Sequence, residues 1–336
     1  MTIRYSHTFA LAILVSLVTI GYASAACPKI LLFGIDLAES DPEHWQNSGV
    51  DGFFVLNLVT NWQDSVGDDE HGPAYGRARQ FQIGNSKVGI SDNFLHIYVH
   101  NNRWHAAAVN LLSDAQLRQI VGDFRDAAHL ARYAGFKGIS LDLEDHQGLW
   151  SADPNIPDKG ERLFQLGKQV GAAIKGQFPA AALIVMPEAL IQAQNPGNIE
   201  ARKEYELSTR FWDGLVQAHF QSLILAPERS YLYERPALIL EQTRNAYAPN
   251  LAHNGVAPGS VSVALGLWPV GRYVSPENFS LESAPRFTGR LSIAYGTGEP
   301  YVWIYSEGKN IWRDRRAKAY LDAIRQVRAS CANYAP

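Results

Sequence analysis

The sequence has little charge and almost no cysteine. Charged residues make up 19% of it against 46% hydrophobic ones, a balance that excludes a disordered chain and supplies a sizeable core. Neither sign of charge dominates. A net charge of −3 and a pI near 6.4 leave no basic footprint for nucleic acid. After residue 26 no apolar run is long enough to span a bilayer. No glycine-rich phosphate loop follows the first apolar run, which ends FGIDLAES, and this argues against an open doubly wound sheet. No G-x-S-x-G elbow is present, which disfavours a serine hydrolase. The first apolar run has no His-x-His pair. His96 and His100 share one strand face but would stand about 13 Å apart along it at ~3.3 Å per residue, too far to hold one ion easily. The two cysteines, Cys27 and Cys331, lie outside the apolar runs, so neither reads as catalytic. In an oxidising compartment they can pair and tie the ends of the mature chain together, with free thiols as the alternative.

The first 26 residues stand apart. Arg4 precedes an apolar run from Phe9 to Ile20, and Ala23, Ser24 and Ala25 follow. This is the pattern of a secretory signal peptide cleaved after Ala25 or Ala26, and it predicts a secreted or periplasmic protein with no membrane association after cleavage. An uncleaved anchor helix is the alternative, but the apolar run is short for a span. Lipidation at Cys27 is disfavoured because Ser24 stands where a large aliphatic residue is expected. Residues 27–336 read as one domain.

Eight short apolar, β-branched runs recur at intervals of roughly 20 to 45 residues, enough for a strand, a helix and two loops. They are 29–36, 51–58, 93–100, 138–145, 182–188, 222–228, 261–269 and 301–308. Near-continuous apolarity suggests a parallel sheet covered on both faces. Helices are expected over 113–136, 158–178 and 311–330. The first has Ser113 as N-cap, Gln116 three residues on, and Gly135 as its stop. The longer polar stretches 59–92 and 269–290 read as elaborated rim loops. Together these features predict an α/β fold, a single-domain (β/α)8 TIM barrel.

Barrel enzymes carry their chemistry at the C-terminal ends of the strands. Here those ends offer Asp36, Asn57, His100 with Asn101, Asp142 with Glu144, Glu188, Glu228 and Glu307, while the seventh run ends in Trp268 without an acid. Alternation puts Ser140, Asp142 and Glu144 on one face, and Trp303, Tyr305 and Glu307 on another. Burying such acids costs several kcal/mol unless they are paired or hydrogen-bonded, so several on facing strands point to a site. The plainer reading is strand-end caps paired with Arg103, Arg229 or Arg272. Many carboxyl groups, few histidines and many aromatics suit glycoside hydrolysis, in which one carboxyl protonates the leaving oxygen and a second acts as nucleophile or base. Crowding raises one pKa and supplies the acid. Trp62, Trp104, Trp150, Trp268, Trp303 and Tyr305 lie where rings could stack on sugars, core packing being the alternative.

The stretch GISLDLED resembles the fourth strand of the family 18 chitinase-type barrels, whose pattern is D-x-x-D-x-D-x-E. Asp142 and Glu144 fall on its last two acids, while Lys137 and Ser140 replace the first two. The resemblance implies that Glu144 is the general acid and that Asp142 assists attack by the substrate's acetamido group. More broadly, the chain resembles uncharacterised secreted barrels grouped with glycoside hydrolases, the ending YVWIYSEGKNIW contributing to that likeness. In the large clan of retaining β-glycosidases the nucleophile lies on strand seven, but VSVALGLWP has no acid, so that arrangement does not transfer.

The expectation is a secreted glycoside hydrolase without a cofactor, acting on a carbohydrate substrate. Glu144 is its acid/base, Asp142 tunes Glu144, and Glu228 or Glu188 is the second carboxylate. Glu228 is preferred because the aromatic and polar residues after APERSY suit a subsite. Asp36, Asn57, His100, Asn101 and Glu307 would bind hydroxyl groups. Two alternatives remain: a metal-dependent hydrolase with an ion on Asp142, Glu144 and Glu188, and a carbohydrate-binding barrel without catalysis.

Overall fold

The computed structural model describes residues 27–35, 37, 41–59, 61–99, 109–143, 150, 154–186, 199–228, 230, 236–269, 282–306, 311–312 and 317–332. Among them are nine strands: β1 (Lys29–Ile35), β2 (Gly52–Val55), β3 (Phe94–Tyr98), β4 (Gly138–Asp142), β5 (Ala182–Met186), β6 (Ser222–Leu225), β7 (Val261–Val263), β8 (Leu265–Leu267) and β9 (Tyr301–Tyr305). Eight α-helices are interspersed: α1 (Pro42–Trp45), α2 (Pro73–Lys87), α3 (Asp114–Ala134), α4 (Lys159–Gln177), α5 (Ile199–Val216), α6 (Pro236–His253), α7 (Ala284–Tyr295) and α8 (Ala317–Ala332).

Every recorded strand pairing is parallel, and the sheet runs β7-β6-β5-β4-β3-β2-β1-β9-β8. Its two ends, β7 and β8, are separated in the chain by Ala264 alone, so the sheet rolls into a nearly closed TIM-type barrel with a seam at that residue. The single seventh strand expected over 261–269 is therefore two short ones. Val263 registers with Leu225 on β6, whereas Leu265 registers with Val302 on β9. Side chains take over the hydrogen bonds that a continuous ladder would have made. Val263 N donates to Glu299 Oε2 at 2.8 Å, and Gly266 N donates to Ser230 Oγ at 2.5 Å. Trp303 Nε1 donates to Ala264 O at 3.2 Å. These bonds keep the buried backbone groups of the seam satisfied.

Alternation along the strands divides the core in two. Leu31, Phe33, Phe54, Ile184, Ile224 and Trp303 belong to a cluster filling the barrel. Their neighbours Leu32, Phe53, Leu183 and Ile304 belong to the larger layer between sheet and helices. Both faces are thus buried, which is why the strands read as unbroken apolar runs.

The helix ends follow the sequence closely where caps are present. The Ser113 hydroxyl accepts from Gln116 N at 3.3 Å, and Gly135 closes α3 in the left-handed region at φ 85°. The Gln116 side chain accepts from Asn110 N at 2.8 Å, reaching further back than a capping box requires. The stretch 59–92 is not wholly a rim loop, because α2 lies within it. The buried face of α2 comprises Tyr75, Ala78, Gln82 and Asn85. Two of these are amides that make hydrogen bonds, Gln82 Oε1 accepting from Asn93 Nδ2 at 2.8 Å and Asn85 Nδ2 donating to Phe81 O at 3.0 Å, so hydropathy does not register the face. Likewise α7 begins inside the stretch 269–290, with Pro285 in its first turn. α5 and α6 occupy two of the intervals between apolar runs in which a (β/α)8 barrel requires helices, although no helix bounds were read there.

A disulfide joins Cys27, just before β1, to Cys331 on α8, with the two Cα atoms 6.0 Å apart. The expected pairing is present. Among the described residues no helix is long and apolar enough to cross a membrane. Residues 1–26, the expected signal peptide, lie outside the described residues.

Candidate functional site

β4 is buried along its whole length, and its register fixes what faces the barrel interior. Ser140 pairs across to His96 on β3 and to Ile184 on β5, while Asp142 lies between Tyr98 and Met186. Since Ile184 and Met186 belong to the interior cluster, Ser140 and Asp142 point inward beside them. Their faces are fully enclosed: Asp142 is 2% exposed and Ser140 0%. The expectation that Ser140 and Asp142 share an inward face is met, and Asp142 stands at the C-terminal end of its strand.

The group beneath Asp142 is His96, which is 1% exposed. Its Nδ1 lies 2.9 Å from Ser140 Oγ, and its Nε2 lies 3.9 Å from Asp142 Oδ2. Three rings hold the imidazole edge-on: Tyr98 at 4.7 Å between centroids, Phe33 at 4.8 Å and Phe54 at 6.1 Å. A polar triplet thus occupies an otherwise aromatic and aliphatic interior. In the sequence His96 stands out only as a metal partner for His100. The missed signal is the alternation of β3, which sets His96 on the face of Phe94 and Tyr98 and opposite Ser140.

The remaining expected residues separate into three groups. Glu228 follows β6 and is 8% exposed; two residues on, Ser230 stitches the seam. Asn57 lies exposed two residues after β2 at φ 64°, a left-handed conformation that asparagine tolerates. Trp268 follows β8 and meets Tyr305 edge-on at 5.6 Å, and Tyr305 is half-buried. These four lie at strand ends, as expected.

Trp62 and Trp303 require correction. Trp62 is 1% exposed and meets Phe211 of α5 edge-on at 6.2 Å. Trp303 is 0% exposed inside the barrel. Neither ring offers a face to a sugar. Large aromatic side chains stabilise most when buried with their N–H bonded, and Trp303 does so through Ala264. Trp150 is likewise a core residue, its Nε1 donating to Leu143 O at 2.8 Å.

Asp36, His100, Asn101, Trp104, Glu144, Glu188 and Glu307 lie outside the described residues, as do Arg103, Arg229 and Arg272. Of the metal set Asp142, Glu144 and Glu188, only Asp142 is described. Among the described residues no group of three His, Cys, Asp or Glu side chains is arranged to hold a metal ion.

The geometry defines a parallel barrel with a buried carboxyl at the end of its fourth strand. Solved structures share this architecture. A chitinase from Chromobacterium violaceum matches at TM-score 0.50 and 14% identity, covering 90% of this chain and 99% of that one. A family 18 chitinase from Cycas revoluta, solved in complex with (GlcNAc)4, matches at TM-score 0.51 and 10% identity, covering 91% and 100%. At these identities the likeness is one of fold. No protein-family model matches the chain, and no curated protein matches it either.

Proposed function

We propose that the protein is a secreted glycoside hydrolase. The observation that carries this reading is Asp142: a carboxyl 2% exposed at the C-terminal end of β4, two residues before Glu144, in a chitinase-like barrel. Burying a carboxyl costs several kcal/mol unless it is paired or hydrogen-bonded, and its place at the C-terminal end of a barrel strand favours a site.

In this reading Glu144 protonates the leaving oxygen, and Asp142 orients and tunes it. Glu228 or Glu188 supplies the second carboxylate. The separation of the two carboxyl groups decides the outcome, ~5–5.5 Å for retention and ~6.5–9.5 Å for inversion. Trp268, Tyr305 and Trp104 contribute ring faces and edges to the subsites. Asp36, Asn57, His100, Asn101 and Glu307 bind hydroxyl groups. Secretion follows from the signal peptide read over residues 1–26, and the Cys27–Cys331 disulfide suits an oxidising compartment.

The test is reducing-end release from a panel of plant, bacterial and fungal polysaccharides by the mature protein beside Glu144→Gln. Release that disappears in the variant while glycan binding survives supports the assignment. Release that survives moves the acid elsewhere. Binding without release from any substrate replaces the enzyme with a carbohydrate-binding barrel.

A further inference from the structure

The imidazole of His96 is a buried titratable group to which the proposed reaction assigns no role. Its surroundings are unusually restrictive. From β1 and β2 it meets the rings of Phe33 and Phe54 edge-on. From its own strand it meets Tyr98, and from β4 it meets Ser140 and Asp142. Among the described residues, the titratable groups facing it include the Tyr98 phenol and the Asp142 carboxyl. With the ring fixed by packing, the Ser140 hydroxyl meets Nδ1, and Nε2 is left toward Asp142.

We propose that His96 is the proton partner of Asp142, a positioning residue that sets the charge and orientation of that carboxyl from inside the barrel. The chemistry balances with one proton and no further reactant. When the ring is neutral with its hydrogen on Nε2, Nδ1 accepts a hydrogen bond from Ser140, and the N–H dipole faces the Asp142 carboxylate. When a proton is added to Nδ1, the Ser140 hydroxyl rotates to accept from it, and the imidazolium forms an ion pair with Asp142. If the proton instead goes to Asp142, both partners are neutral. In each state the net charge of the pair is at most one unit, which limits the desolvation cost of a 2%-exposed carboxyl. The two groups therefore titrate together, and a change in either moves the apparent pKa of the other.

The consequence for catalysis rests on the proposed glycosidase reading. In that reading Asp142, two residues before Glu144 in the sequence, tunes the proton affinity of Glu144 through its charge. His96 thereby acts on the reaction through Asp142 without touching substrate.

The pairing is tested without any substrate. The mature protein is labelled at histidine with 15N, and the His96 signals are assigned by their loss in His96→Gln. The imidazole is then titrated in the wild type, in Asp142→Asn and in Ser140→Ala. The expected result is at least a tenfold fall in the proton affinity of His96 on replacing Asp142, and a changed Nδ1/Nε2 tautomer ratio on replacing Ser140. A His96 titration that is the same in the wild type and Asp142→Asn overturns the pairing. Should Asp142→Asn not fold, the reciprocal measurement decides: the 13C-labelled carboxyl of Asp142 must shift its titration in His96→Gln, and an unmoved titration overturns the proposal.

The pH profile of polysaccharide cleavage then separates the two readings. If the wild type releases reducing ends, His96→Gln is expected to lower kcat with little change in KM and to displace one limb of the profile. A profile that overlays the wild type overturns the positioning role and leaves the glycosidase standing. If NMR shows the coupling while no substrate is cleaved by the wild type, the pairing stands and the glycosidase reading falls.

Discussion

Gly266 and Trp303 share one volume at the barrel seam: a Cβ on Gly266 would lie 2.5 Å from Trp303 Cε2. The indole fills the interior because the neighbouring strand presents nothing there, and its Nε1 bonds the seam carbonyl of Ala264. Gly266→Ala is expected to destabilise the protein by about 1–3 kcal/mol through overpacking. Urea unfolding midpoints measure this. In a Trp303→Leu background the same substitution is expected to cost much less, and equal costs in both backgrounds would mean the ring and the glycine are uncoupled.

A second close approach joins α4 to α5. A Cβ on Gly167 would lie 2.0 Å from Phe211 O, and one on Gly214 would lie 2.0 Å from Phe164 O. Backbone atoms cannot swing aside, so the helices must separate to accept either methyl group. Gly167→Ala and Gly214→Ala are each expected to lower the melting temperature. Gly176→Ala on the same α4, where a Cβ meets nothing within 4 Å, is expected to raise stability slightly through helix propensity. A drop of similar size at all three positions would refute the close-packing account.

Asp123 on α3 gives a pH dependence of predictable sign. Burial pushes its carboxyl up to about 6, and the charges of Asp126 and Asp64 add to this against hydrogen bonds from Ser65 and Gln119. Below about pH 3 the group is protonated in the folded and unfolded chains alike and contributes nothing. As pH rises toward 6 the unfolded chain releases the proton while the folded one retains it, so stability falls. The loss is complete above about 6. Asp123→Asn is expected to differ little from the wild type at pH 4 and to exceed it at pH 7.5 by on the order of 2 kcal/mol. Denaturant titrations at the two pH values test this, and a gain that is larger at pH 4 would reverse the assignment.

The Cys27–Cys331 bridge closes a loop of sequence separation 304. By limiting the unfolded chain it is expected to contribute about 2–5 kcal/mol. The double variant Cys27→Ser/Cys331→Ser, compared with the wild type by thermal unfolding without reductant, measures that contribution. Adding reductant should lower the wild-type midpoint and leave the variant's unchanged.

The barrel was legible because both faces of its strands are apolar, and a buried parallel strand reads the same from either side. Seven of the eight expected runs contain one strand each; the other, 261–269, splits at Ala264. That split depends on Glu299, Ser230 and Trp303 reaching in from distant positions, which no local pattern records. Helix α2 was hidden because Gln82 and Asn85 bury amides through hydrogen bonds rather than through hydropathy. At the site, alternation correctly turned Ser140 and Asp142 inward. It applied equally to His96, whose role depends on the β3–β4 register, and register is a tertiary fact. Trp62 and Trp303 misled because a tryptophan at a strand end looks alike in sequence whether it packs inward or faces a ligand.

The sulfur bond between Cys27 and Cys331 makes nearly the whole described chain a covalent ring. A protease that cuts once, anywhere between these two residues, removes nothing. It yields a circularly permuted molecule whose new ends lie at the cut and whose old ends are spliced through sulfur. Such a molecule runs as a single species on a non-reducing gel and as two fragments after reduction. A loop can therefore be opened while every strand remains attached to the same ring.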